Sequence, residues 1–304
     1  MKNNFIGDNS INNSNNNSTQ TDLVENKKNN RPIGIHVRLQ QGLLDVVSSV
    51  ERTNVSVAQS FLLNESGKYA SFTHKIVREF VKQKERLNFL YFVHAAYWSS
   101  LVQVGSKEFI SLCKETEIAY NLHSDGIVIH VGATRARLEK KEQVLYVAEA
   151  VNELLHQVPD IKLLLENSPH AGRNFGGDIT DFGLLLDHVE NKERVQFCID
   201  TAHAFVFGYD VVNEYKREDF FKLLKDVFGE KQIALLHVND TSELCGSYID
   251  KHGVPGEGVM GQKSLAWFIR HEMCKDVPII MELPSSCSQD QDTEIIKRVR
   301  SWDI

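Results

Sequence analysis

Eight short apolar runs recur along this chain, most of them followed by a longer segment of helical spacing. They are Ile33–Val37, Val57–Leu62, Phe89–Val93, Ile127–Ile129, Ile161–Leu165, Val195–Ile199, Ile233–Leu236 and Pro278–Met281. Near-continuous Val, Ile, Leu and Phe without polar alternation suits strands buried on both faces, as in a parallel sheet. The helical patterns between them are Ser71–Lys84, Lys107–Leu122, Lys140–Leu155, Phe182–Val189, Glu218–Phe228, Ser264–His271 and Thr293–Trp302. The repeat is close to the roughly 30 residues of a βα unit. Eight parallel strands with helices between them predict an α/β fold, a (β/α)8 TIM barrel, as one domain over residues 31–304. An open doubly wound sheet would want a Gly-rich phosphate loop after its first strand, and His36-Val37-Arg38-Leu39-Gln40-Gln41-Gly42 is not one.

Residues 1–30 stand apart: eleven are Asn, and there is little to bury. Such a segment cannot offset the entropy of ordering and is expected to be a disordered tail. No apolar run approaches the roughly 20 residues of a membrane span, and no signal peptide is visible, so no membrane partner is expected. The five cysteines are scattered and never in C-x-x-C spacing. That predicts a reducing, intracellular compartment (cytoplasm or nucleus) and argues against a thiolate zinc site.

A barrel gathers its strand C-termini on one face, where the chemistry sits. Those positions read His36, His94, His130, Glu166-Asn167, Asp200 with His203, His237 with Asn239-Asp240, and Glu282, with Asp250-Lys251-His252 in the seventh loop. Any one of them has an ordinary reading. A single His is usually a hydrogen-bonded structural residue, and a single Asp can cap the next helix. Repeated around one rim, unpaired carboxylates and imidazoles would repel or be desolvated. Divalent cations resolve that, and imidazole with carboxylate but no thiolate suits Zn²⁺ or Mn²⁺. Net charge is −7, which on its face disfavours a nucleic-acid partner. Three divalent ions add six positive charges and bring −7 to about −1, so the balance excludes nothing.

Leu164-Leu165-Glu166-Asn167-Ser168, Cys198-Ile199-Asp200-Thr201-Ala202-His203-Ala204-Phe205 with Gly208-Tyr209-Asp210, Leu236-His237-Val238-Asn239-Asp240, and Asp250-Lys251-His252 before Gly256-Glu257-Gly258 resemble the signature segments of the endonuclease IV family of apurinic/apyrimidinic (AP) endonucleases. The resemblance spans about residues 33–284. It implies three zinc ions per chain, with manganese an alternative at one or more positions. His94, His130 and Glu166 would hold one ion; Glu166 would bridge to a second with Asp200, His237 and Glu282; His203, Asp250 and His252 would hold the third. Glu166, Glu282 and His203 are implied as catalytic positions among them. The implied activity is hydrolysis of the phosphodiester bond 5′ to an abasic site in double-stranded DNA, by a monomer, as in base excision repair. Products would be a 3′-hydroxyl and a 5′-deoxyribose phosphate. Tyr97 matches a family tyrosine in the loop after His94, Trp98 replaces a smaller apolar residue, and the arginine usual after the second strand is not evident in Leu63–Tyr69, where Lys68 would substitute. With His36 these are the expected DNA-binding residues. A sugar isomerase or epimerase of the same barrel type is the alternative. It accounts for Glu166, Asp200, His237 and Glu282 but not for the remaining five.

Overall fold

The structure, a computed structural model, describes residues 31–303 apart from 65, 135–137, 159 and 230–231. The Asn-rich segment 1–30, expected to be disordered, lies outside the described residues. Eight parallel strands close into a barrel: β1 (Ile33–His36), β2 (Val57–Phe61), β3 (Leu90–His94), β4 (Gly126–His130), β5 (Leu163–Glu166), β6 (Val195–Asp200), β7 (Ile233–His237) and β10 (Ile279–Met281). Pairing runs in sequence order, and β10 closes the ring on β1 with Ile33 opposite Ile279. Two further strands, β8 (Asp240–Thr241) and β9 (His252–Gly253), form a small antiparallel hairpin on the seventh loop.

All eight predicted strands are present, with ends shifted by one or two residues. His94, His130, Glu166, Asp200 and His237 are each the last residue of their strand, not the first of the loop. Two helices fall outside the sequence expectation. One is α1 (Leu44–Thr53), whose Val and Ser content is a weak helical signal; the other is the short α6 (Thr201–Phe207), which starts directly on the tip of β6. The others are α2 (His74–Leu87), α3 (Lys107–Asn121), α4 (Lys140–Gln157), α5 (Thr180–Leu186), α7 (Glu214–Phe228), α8 (Gly261–Arg270) and α9 (Gln289–Trp302). Arg31 ties the start of the barrel to its end, donating to the carbonyls of Ile269, Cys274 and Val277 and pairing with Asp303 at 3.1 Å.

The period of two along a strand explains where the polar side chains go. Outward residues such as Ile127, Ile129, Leu163 and Leu165 pack against the helices in the main core. Inward residues Val57, Phe92, Val128, Leu164, Cys198, Leu235 and Ile280 form a separate apolar layer that fills the barrel. Two residues further along the same strands, on the same inward face, stand Gln59, His94, His130, Glu166, Asp200, His237 and Glu282. The apolar layer is therefore the floor beneath a ring of polar groups. β1 has Gly34 at this level because a Cβ there would lie 1.7 Å from the Val57 carbonyl oxygen.

Candidate metal centre

Glu166 is the hub of the ring, with no exposed surface. Its Oε2 lies 3.1 Å from His94 Nε2 and 3.4 Å from His130 Nε2, and its Oε1 lies 2.9 Å from His237 Nδ1. His237 Nδ1 also faces Glu282 Oε2 at 3.7 Å and Asp200 Oδ2 at 3.9 Å. On the other side of Asp200, His252 Nε2 is 3.6 Å from Asp200 Oδ2, 3.4 Å from Asp250 Oδ1 and 3.2 Å from His203 Nε2. His203 Nε2 lies 3.3 Å from Asp250 Oδ1. All nine sequence-predicted positions are thus brought into one basin. Among the described residues, the overlapping groups compact enough to hold a cation include His94–His130–Glu166, Glu166–Asp200–His237–Glu282 and Asp200–His203–His252.

Neighbouring hydrogen bonds decide which ring nitrogens face inward. His94 Nδ1 meets the Ala95 carbonyl at 2.9 Å, and His203 Nδ1 meets the Asn167 carbonyl at 2.9 Å. A carbonyl only accepts, so each Nδ1 carries the hydrogen and each Nε2 presents a lone pair to the basin. His252 Nδ1 faces the Glu282 carboxylate at 3.4 Å, which turns its Nε2 lone pair onto that of His203. Two imidazole lone pairs and a carboxylate oxygen meeting at 3.2–3.4 Å repel one another unless a proton or a cation lies between them. Ligand atoms about 2.0–2.1 Å from a tetrahedral ion are themselves roughly 3.3 Å apart, so this donor set fits a divalent metal.

The protonation equilibria of the basin carry the same message. Burial opposes charge on His203, yet Asp200, Asp250 and Glu166 hold its pKa up to about 10. Burial lowers His130 to about 4. Against their own desolvation, Glu166 and Glu282 stay well below the usual carboxylate range because imidazoles surround them. Cys198 also lies near Glu166 and His237, but burial pushes its thiol up to about 12, and it remains part of the apolar floor.

Hydrogen bonds behind and beside the ring shape the basin. Asp200 serves twice: its Oδ1 accepts the His203 N–H at 2.8 Å and caps α6, while its Oδ2 points into the basin and accepts from Asn239 at 2.6 Å. The ordinary capping role of a strand-end Asp and an oxygen turned into the basin thus coexist on one carboxylate. Asn167 bridges β5 to the β6 turn by accepting the Asp200 N–H at 2.7 Å and donating to the Asp200 carbonyl at 3.1 Å. Asp240, grouped in the sequence with the rim carboxylates, turns away from the basin. It accepts the N–H groups of Thr241, Gly256, Gly258, Met260 and Gly261 at 2.8–3.1 Å and fixes the loop that follows β9. Gln59 escapes the sequence reading, because a search for imidazoles and carboxylates passes over a carboxamide. It has no exposed surface and lies 2.9 Å from His237 and 3.0 Å from Glu282.

Of the residues expected to face DNA, Tyr97 is 70% exposed and its ring stacks 6.0 Å from that of His130. Trp98 is 48% exposed beside it, and Lys68 is exposed on the neighbouring loop. His36, also expected to face DNA, has a side chain only 7% exposed, on the strand position paired with Gln59, 4.5 Å from the Phe61 ring and 3.3 Å from Glu282.

Comparison with known proteins agrees with this geometry. A family model described as xylose isomerase-like TIM barrel matches residues 56–302. A probable endonuclease 4 of Halothermothrix orenii is 26% identical over 277 residues, covering 88% of this chain and 99% of the relative. An apurinic-apyrimidinic endonuclease of Caenorhabditis elegans is 25% identical over 270 residues, covering 86% of this chain and 68% of the relative. The crystal structure of endonuclease IV from Thermus thermophilus superposes with a TM-score of 0.77 at 23% identity, over 89% of this chain and 98% of that one, a likeness of fold. A closed eight-stranded barrel with its polar ring at the strand C-termini, matched over most of its length, places this chain in the xylose isomerase-like TIM barrel family.

Proposed function

We propose that this protein is a zinc-dependent AP endonuclease of base excision repair, acting as a monomer inside the cell on duplex DNA that carries an abasic site. The observation that carries the reading is the outer half of the basin. His203, His252 and Asp250 converge lone pairs at 3.2–3.4 Å beyond the inner set of Glu166, Asp200, His237 and Glu282. A sugar isomerase needs only the inner set. The named relatives support the choice between them.

His94, His130 and Glu166 would hold one ion, Glu166 with Asp200, His237 and Glu282 a second, and His203, Asp250 and His252 a third. Bound ions supply a lowered water pKa near neutrality and positive charge for the phosphate and leaving oxygens. The chain's own residues set the geometry. The barrel strands fix the carboxylates and imidazoles at their tips, Glu166 joins the first two groups through its two oxygens, and Asp200 joins the second to the third. Tyr97 and Trp98, exposed on the loop after β3, would line the duplex beside the displaced nucleotide. Extruding that nucleotide costs least where pairing is already lost, which favours an abasic site.

The test is a duplex with one abasic residue and a labelled strand. Zinc-loaded protein should cut on the 5′ side and leave a 3′-hydroxyl. Strong chelation should abolish the cut, and Glu166→Gln or His203→Ala should lower kcat by more than about 100-fold, beyond the roughly 10–100-fold usual when only an outer partner of a ligand is removed. Isomerisation or epimerisation of a sugar without incision would overturn the reading in favour of the inner-set alternative.

A further inference from the structure

Gln59 occupies the inward position of β2 two residues above Val57, where the neighbouring strands present histidines and carboxylates. Its carboxamide is fully buried and makes three side-chain contacts: Oε1 to His237 Nε2 at 2.9 Å, and Nε2 to Glu282 Oε1 and His36 Nδ1 at 3.0 Å each. An amide can be reversed end for end without changing shape, so the partners must decide its direction. A carboxylate oxygen faces one end. Reversal would set the amide oxygen 3.0 Å from that oxygen, acceptor against acceptor. The NH2 end therefore faces Glu282, and the oxygen faces His237. An oxygen only accepts, so His237 carries a hydrogen on Nε2, which leaves Nδ1 as the nitrogen that faces Glu166, 2.9 Å away, and that can meet a cation there once its own proton is displaced.

The histidines of the basin differ in how this choice is made. His94 and His203 are oriented by the backbone carbonyls of Ala95 and Asn167, which no substitution removes. His237 depends on a side chain. Glu282 is similarly placed: it follows β10 just beyond the strand's last residue and is held by Asn239, which accepts its N–H at 2.8 Å, and by Gln59. We propose that Gln59 is a positioning residue that selects the ring nitrogen through which His237 meets a cation and holds Glu282 beside it, an inference that rests on the metal-dependent reading above. Orienting groups behind metal-facing imidazoles typically set affinity by about 10–100-fold.

Two variants separate this from simple core packing. Gln59→Met keeps the volume and loses the strong acceptor and both donors. Gln59→Glu keeps the acceptor for His237 and shares one proton with Glu282, so it reproduces the pattern of the amide. Each would be purified metal-free and its fold checked by thermal melting. The His237 tautomer would be read, after zinc is restored, from the nitrogen-15 shifts and two-bond couplings of labelled imidazoles. Zinc affinity would be read by competition with a chromogenic chelator. We expect the Nε2–H form in the parent protein and in Gln59→Glu. In Gln59→Met we expect that form to lose its dominance and one zinc equivalent to bind about 10–100-fold more weakly. Parental zinc affinity in Gln59→Met, or an Nδ1–H tautomer in the parent, overturns the proposal alone. A parent protein that takes up no divalent ion overturns it together with the functional reading. If Gln59→Met does not fold, Gln59→Glu decides: loss of the Nε2–H form with unchanged affinity overturns the proposal, and retention of both supports it.

Discussion

Asp240 shows how one side chain can organise a site it never faces. Five backbone N–H groups converge on its carboxylate, four of them from residues 256–261. Gly258 is required at this contact, since a Cβ there would lie 2.3 Å from Asp240 Oδ1. Asp240→Ala should leave those groups unsatisfied and lower stability by about 3–5 kcal/mol, a figure set by one or two buried N–H groups that water fails to reach. Urea unfolding of the metal-free protein measures this, and a loss under about 1 kcal/mol would show that solvent replaces the carboxylate. At this scale the sequence was legible where a residue type implies one chemistry and opaque where it implies several. His94, His130 and Glu166 could be read from type and position at a strand tip. Asp240 occupies the same kind of position and fixes a loop, His36 is buried against Phe61 and Glu282, and Gln59 carries no charge to draw notice.

The elements were legible to the extent that their signal is periodic. Eight apolar runs gave eight strands, because a strand buried on both faces leaves an unbroken hydrophobic mark. The helices α1 and α6 left little mark. The first is rich in Val and Ser, and the second has seven residues and begins on a capping Asp whose strand has only just ended. The closing of the ring also rests on a feature too small to weigh in a sequence. With a Cβ at Gly34 1.7 Å from the Val57 carbonyl oxygen, β1 and β2 could not keep their pairing of Ile35 with Ala58 and His36 with Gln59. Gly34→Ala should therefore cost about 3 kcal/mol or more, at the upper end of overpacking penalties. It should also lower zinc uptake, because Gln59 and His36 would move with the seam. Thermal melting and chelator competition on the same sample check both, and an unchanged melting temperature would refute the packing argument.

Across the whole molecule the net charge is −7, and three divalent ions in the basin would bring it to about −1. In the metal-free protein His203 holds its proton up to about 10, above the roughly 6.5 of an unfolded chain. A raised pKa of this kind stabilises the metal-free fold below about pH 6.5, and the contribution fades as pH climbs through about 10. At pH 8 a zinc ion must displace that proton. Zinc binding should release protons at pH 8 and strengthen between pH 7 and 9, as calorimetry in buffers of different ionisation enthalpy would show; binding with no proton release would contradict the assignment. Removing residues 1–30 should leave incision within tenfold of the full chain, and a larger loss would give the Asn-rich segment a part in the reaction. The hairpin β8–β9 has a different consequence. The inner set hangs on barrel strands, whereas Asp250 and His252 sit in and beside a two-residue ladder anchored through Thr241 opposite His252. The basin is thus split: its inner part and His203 belong to the scaffold, and only Asp250 and His252 to an appendage. Deleting the appendage would therefore remove two donors of the outer group and leave Glu166, Asp200, His237 and Glu282 on the scaffold.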